Sequence, residues 1–258
     1  MRSGSVDYVS LLHEKTGQGV AKVVINRPKV LNAIDYPTLV ELRDVMTEIA
    51  RDPDSRIVII TGSGDKAFCV GADRNELKRH QGDTDRARVY EEAGRAVCNL
   101  IYDLGKPTLC AINGYAFGLG LQIALACTFR IIASGVQMGL PEINMGFFPS
   151  MGATQRLPRL IGESKAIEMI TTGEPIDAAE AHRLGLANRV VPPGELNETA
   201  EAFAVAVAQK NPSAVALAID AIRHEKTLSL EQGLAYEARL SKACRQGSGC
   251  GDNKGKGT

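Results

Sequence analysis

The stretch that most constrains this chain is Lys106-Pro-Thr-Leu-Cys-Ala-Ile-Asn-Gly-Tyr-Ala-Phe-Gly-Leu-Gly-Leu-Gln122. It reads as a short buried strand, a turn at Asn113-Gly114, a glycine-containing loop and then an apolar helix from Leu119 to Cys127. Gly118 and Gly120 allow the backbone to come close to a neighbouring element. A helix that starts there points unpaired N–H groups and the positive end of its dipole into the same space. Backbone alone can thus build a site for a developing oxyanion. The same residues would also suit a plain strand-to-helix turn packed on a neighbour, so a second stretch has to decide.

That second stretch is Ala67-Phe-Cys-Val-Gly-Ala-Asp73, between an apolar strand, Arg56-Ile-Val-Ile-Ile-Thr61, and a helical segment. Together the two stretches resemble the enoyl-CoA hydratase/isomerase (crotonase) family. Asn26-Arg-Pro-Lys-Val-Leu-Asn-Ala33, Leu140-Pro-Glu-Ile-Asn-Met-Gly146, and Thr154-Gln-Arg-Leu157 with Gly162 fit the same family, in its order and at its spacings. The resemblance covers roughly residues 8 to 245.

The 258 residues, 44% hydrophobic, suit one large domain or a domain with an appendage. Thirty basic and thirty acidic side chains cancel, so no global field favours nucleic acid or an anionic membrane. Any anionic ligand must be met by a local cluster. The absence of Trp removes an aromatic platform for single strands. Cysteines 69, 98, 110, 127, 244 and 250 form no CxxC pair, and several lie in apolar runs, so reduced, mostly buried thiols in a cytoplasmic protein are expected. The N-terminus has no signal-type apolar segment, and no run reaches the ~18 residues of a membrane span. His13, His80, His182 and His224 match no metal spacing.

Taken in order, Val6 to Leu12 and Val20 to Asn26 read as strands. Asp35 is a plausible N-cap, with Pro37 near the first helical position and Leu39, Leu42, Met46 and Ile49 at helical spacing up to Pro53. Ile57 to Ile60 is a continuous apolar strand. Arg74 to His80 and Thr84 to Leu104 read as helices, Phe129 to Ala133 and Gln137 to Leu140 as strands. Residues 141 to 152 form a loop. Helices near 153–161, 163–172 and 177–184 precede a last strand, Leu186 to Val191. Leu196 to Gln209, Ser213 to Lys226 and Leu230 to Cys244 then read as helices with no strand between.

Alternation of strand and helix followed by helices alone indicates an α/β core with a helical appendage. Spacing does not separate a flat doubly wound sheet from a spiral. The resemblance implies the spiral: stacked ββα units over residues 1–192, and a C-terminal helical region, 193–245, that builds a homotrimer or a dimer of trimers. Residues 246–258 are rich in Gly, Lys and Ser and read as a disordered tail.

The resemblance also assigns a site. It makes the substrate an acyl-CoA thioester, with coenzyme A part of the substrate and no separate cofactor or metal. It places the oxyanion donors at the N–H groups of Ala72, after Gly71, and of Leu119, after Gly118. Such a donor is worth roughly 2.7–4 kcal/mol in comparable sites. It sets Lys29, Lys66 and the backbone of Val70 beside coenzyme A. Glu142 stands in Leu-Pro-Glu-Ile, where apolar neighbours desolvate a carboxylate and raise its pKa, which suits proton transfer next to a thioester. Two positions depart from the hydratase pattern. Gln122 replaces the second catalytic Glu, and an amide can orient water but not take its proton. Ser150 replaces a Gly and narrows the acyl pocket or puts a hydroxyl in it. Cys69 adjoins the site without a paired base. Enoyl-CoA hydration and Δ3→Δ2 isomerisation both stay open, as do decarboxylation, thioester hydrolysis and silent binding of a CoA ester or a protein partner.

Overall fold

The structure, a computed structural model, describes residues 8–246. Strand β1 (Leu11–Lys15) pairs antiparallel with β2 (Val20–Ile25). The strand expected at Val6–Leu12 therefore begins later. The Glu41 carboxylate accepts the N–H groups of Val9, at 3.0 Å, and Ser10, at 2.9 Å, so these donors are not free for a ladder. Residues 6 and 7 of that expected strand lie outside the described residues. Helix α1 (Tyr36–Arg51) is capped as its sequence predicts, with Asp35 accepting from Thr38 N at 3.0 Å, and it buries Leu39, Leu42, Met46 and Ile49.

After α1 the chain repeats one move. Strand β3 (Ile57–Gly62) enters one sheet, β4 (Ala67–Cys69) enters another, and α2 (Arg74–His80) and α3 (Thr84–Tyr102) follow. Strand β5 (Thr108–Ile112), β6 (Tyr115–Phe117) and α4 (Leu119–Ala126) do the same. Strand β7 (Phe129–Ala133) and β8 (Gln137–Gly139) do so again, leading through a 3-10 turn, Pro141–Met145, to α5 (Ala153–Ile161). The larger sheet has the order β1-β2-β3-β5-β7-β10, parallel apart from β1, with β10 at Arg189–Val191. The smaller has the order β4-β6-β8-β9, with β9 (Ile176–Asp177) antiparallel. This is the spiral of stacked ββα units.

The smaller sheet is what the sequence hides. Strands β4, β6 and β9 are two or three residues long and read as loop, because their pairing is decided by the neighbouring turn rather than by local propensity. Close approach fixes the second layer. A methyl on Gly120 would lie 2.1 Å from the Cys69 carbonyl oxygen, so only glycine lets α4 rest on β4. At the other end of α4, buried Arg130 donates to the carbonyls of Cys127 (2.6 Å), Ala124 (3.1 Å) and Leu186 (2.6 Å). It satisfies the helix's last acceptors with a cation.

Helices α6 (Glu163–Thr172) and α7 (Ala178–Arg183) connect the spiral to β10. Past residue 192 the described chain is helical. Helix α8 (Leu196–Ala208) lies across β2, β3, β5 and β7 and buries Leu196, Ala200, Ala204 and Ala208. Helices α9 (Pro212–Arg223) and α10 (Leu230–Gln246) pack on one another and bury no residue fully. Ile222, Leu230 and Leu234 are 73%, 81% and 57% exposed, an uncovered apolar surface. The tail expected to be disordered lies outside the described residues, apart from Gln246.

Cys69, Cys98, Cys110 and Cys127 are free and buried. Cys244 departs from the expectation of reduced thiols: it is disulfide-bonded. It sits half-buried near the end of α10. Among the described residues no single helix is long and apolar enough to cross a membrane, and no group of three or more His, Cys, Asp or Glu is placed to hold a metal ion.

Candidate active site

The site lies where the loops after β2, β4 and β6 and the turn after β8 converge. Gly71 takes φ +102° and Gly118 takes φ +53°, both left-handed conformations that a side chain would strain. A methyl on Gly71 would stand 3.2 Å from the Phe117 carbonyl oxygen and 3.5 Å from Leu119 N. The two glycine loops therefore touch. Leu119 opens α4, so its N–H has no intrahelical acceptor. Ala72 is bridged to Ile34 through its neighbours: Ile34 N donates to Gly71 O at 2.8 Å, and Asp73 N donates to Ile34 O at 2.8 Å. That pattern turns the Ala72 N–H away from Ile34. Among the described residues neither the Ala72 nor the Leu119 N–H has a hydrogen-bond partner. The two backbone positions singled out in the sequence are brought together with their donors unused.

Glu142 completes the group. A methyl on Gly118 would lie 3.3 Å from Glu142 Oε1, which sets the carboxylate beside the start of α4. Gln122, buried one turn into α4, donates from Nε2 to Glu142 Oε1 at 3.1 Å. Its Oε1 accepts the Met151 N–H at 2.8 Å. The amide thus holds the carboxylate with one end and the loop before α5 with the other. Glu142 Oε2 is buried with no hydrogen-bond partner. Burial raises the Glu142 pKa above its ordinary value, while its own backbone N–H and the Gln122 amide pull in the opposite direction. The result is one partly dried carboxylate, gripped at one oxygen and open at the other.

Lys29 lies on the 3-10 turn Pro28–Val30 and Lys66 on the β3–β4 turn, and both are exposed. Among the described residues neither side chain is hydrogen-bonded or ion-paired. Asn32 joins their loops. Fully buried, it donates from Nδ2 to the carbonyls of Ser63 (3.0 Å) and Ala67 (2.8 Å), and its Oδ1 accepts from Arg27 N at 3.0 Å. Val70 N donates to Leu31 O at 3.3 Å. Lys29, Lys66 and Val70 therefore share one edge of the site. Ser150 lies on the other side, next to the Met151 held by Gln122.

Arg27 escaped the sequence reading. Its Nη2 pairs with Asp35 at 2.8 Å and with Asp73 at 3.1 Å, and its Nη1 donates to Ala33 O. Asp35 caps α1 and Asp73 caps α2 by accepting from Asn75 N. One guanidinium thus ties both helix starts together around Ala72. No local signal joins the three: Asp35 and Asp73 follow Arg27 by 8 and 46 residues in the chain and share it only in space. Cys69 is buried and its thiol is pushed up to about 12, so it stays protonated and takes no nucleophilic part.

These features bring two unpaired backbone N–H groups and a buried carboxylate together at one place. The family description Enoyl-CoA hydratase/isomerase matches residues 15–250, and the chain belongs to that family. It is 40% identical over 235 residues to the short-chain-enoyl-CoA hydratase of Clostridium acetobutylicum, covering 91% of this chain and 89% of that one. It is 38% identical over 237 residues to the crotonyl-CoA hydratase of Syntrophomonas wolfei, covering 92% and 90%. A crystal structure of an enoyl-CoA hydratase from Bacillus anthracis superposes with a TM-score of 0.88 at 37% identity, covering 93% and 92%.

Proposed function

We propose that the protein binds an enoyl-CoA and moves one proton beside the thioester, with Glu142 as the sole proton carrier and the net reaction a Δ3→Δ2 double-bond shift. The observation that carries this reading is the Gln122 clamp: both ends of the amide are engaged, and one carboxylate oxygen is left free. Ionised Glu142 takes a proton from C2 of a 3-enoyl thioester. The electron pair moves onto the thioester oxygen, which the Ala72 and Leu119 N–H groups stabilise. The same carboxyl returns the proton at C4, and the double bond settles into conjugation. No water enters and no cofactor is consumed.

Hydration is a second reading, favoured by the hydratase names of the relatives. Water would then have to be activated by Glu142 itself, since Gln122 cannot accept its proton. Mass spectrometry on 3-hexenoyl-CoA and 2-hexenoyl-CoA separates the two. Conjugated absorbance gained at unchanged mass supports isomerisation. A mass gain of one water on the 2-enoyl ester supports hydration. If neither change occurs, both readings are overturned.

Coenzyme A would lie along Lys29, Lys66 and the Val70 backbone. Lys29→Ala is expected to raise KM more than it lowers kcat, because a phosphate contact serves ground and transition states alike. An unchanged KM would remove Lys29 from the site. The exposed apolar residues of α9 and α10 fit burial in a trimer or a dimer of trimers. Light scattering should give a mass of three or six chains at micromolar concentration, and a monomer there would sink this assembly.

A further inference from the structure

Between α3 and α5 lies a cavity of about 390 Å³ whose polar lining includes Arg95, Asn99, Ser150, Thr154, Arg156 and Arg159. It adjoins the loop that the catalytic pair holds. Met151 N is the group held by Gln122, and Ser150 and Gly152 on either side of Met151 line the cavity. No residue of the loops bearing Lys29 and Lys66 reaches it. It lies beyond the loop that Gln122 holds, away from the proposed coenzyme A edge, and is the space toward which the acyl chain of a thioester held by Ala72 and Leu119 is taken to extend.

Its charge is one-sided. Three guanidinium groups line it and no carboxylate does. Arg156 is held by neutral groups, Asn99 Oδ1 at 2.7 Å and Met151 O at 3.2 Å, and lies 5.1 Å over the Tyr102 ring. Arg159 donates to Gln155 O at 2.6 Å. Arg95 makes no hydrogen bond or ion pair among the described residues. An alkyl tail entering here would meet Tyr102 and Phe148 but would leave the three cations without a partner. A carboxylate would meet a free fork of donors and form a charge-assisted pair. The chain's zero formal charge makes this local excess a property of the cavity and not of the molecule.

We propose that this cavity is the subsite for the far end of the acyl group, that it selects a CoA thioester whose acyl chain ends in a second carboxylate, and that Arg95 is the specificity-determining residue. This rests on the placement of the thioester given under the proposed function.

Calorimetry with the saturated esters adipoyl-CoA and hexanoyl-CoA tests it, because binding is read without turnover. The intact protein should bind adipoyl-CoA about tenfold to a hundredfold more tightly, the span expected for a hydrogen bond to a charged group. Arg95→Leu should abolish that preference, and Arg95→Lys should keep part of it. Arg95 is exposed, so these variants should fold, which a thermal melt checks. Equal affinity for the two esters in the intact protein, or the same preference in Arg95→Leu, overturns the proposal. If the preference is present but neither matching enoyl ester reacts, the proposed reaction fails and the subsite stands.

Discussion

Replacing Glu142 with glutamine should lower turnover by about two to four orders of magnitude, the usual range for general acid–base catalysis. The amide keeps the shape of the carboxyl, so ester binding measured by calorimetry should survive. Structure sharpens the expectation in one respect. Gln122 offers Nε2 to Glu142 Oε1, and a glutamine at 142 can still receive that bond through its own carbonyl oxygen. The clamp is preserved and only the proton carrier is lost, so kcat should fall far more than KM rises. Wild-type turnover in this variant would refute the mechanism, whatever reaction the protein catalyses.

The same carboxyl sets a pH dependence. Burial raises its pKa, so proton abstraction requires a pH above that raised value, and the acid limb of kcat should lie above the ordinary glutamate range. The consequence for stability has the opposite sense. Between the unfolded and the raised folded pKa the native state binds more protons than the unfolded state, so this group's contribution to stability falls as pH rises through that window. Glu142→Gln removes a buried charge at neutral pH. It should leave the melting temperature unchanged or raise it while activity collapses, a trade seen where function and stability compete for one residue.

Much of the site could be read along the chain because its donors are backbone groups fixed by local chemistry. Gly71 and Gly118 must be glycine for their φ values, and the N–H that follows each is placed by the turn itself. Asp35 announced the start of α1 because a cap is likewise a local contact. What could not be read depends on side chains meeting across the fold. Arg27 reaches Asp35 and Asp73 only because the spiral lays the loop after β2 over the loop after β4. Strands β4, β6 and β9 exist because each preceding or neighbouring strand delivers them to the smaller sheet. Gln122 was visible as a departure, but the Met151 N–H that occupies its oxygen lies in a loop with no periodic signal. That single bond turns the amide from a candidate water holder into a clamp. The arginines of the α3–α5 cavity were equally silent, since residues 95 and 159 share no motif and come together only by helix packing.

Gln122→Glu is the change with the largest expected gain. A carboxylate at 122 can still accept from Met151 N with one oxygen. Its other oxygen would stand where Nε2 now lies, 3.1 Å from Glu142 Oε1. Two carboxylates at that separation do not both ionise. They titrate as a pair, with one proton lost early and the second held to higher pH. In the window between, one member is an acid and the other a base, which is the pairing that water addition needs: the base takes a proton from water as the acid delivers one to the carbon beside the thioester. Crotonyl-CoA hydration, followed by loss of conjugated absorbance, should therefore appear or rise with a bell-shaped pH profile. Double-bond shift should weaken toward low pH, because Glu142 loses an N–H donor and holds its proton more tightly. Gln122→Ala supplies the contrast: it frees the Met151 N–H and leaves Glu142 ungripped, without adding a base, and should raise no hydration at any pH. If Gln122→Glu gains no water addition across the whole profile, the amide at 122 is not what keeps this site from hydrating its ester.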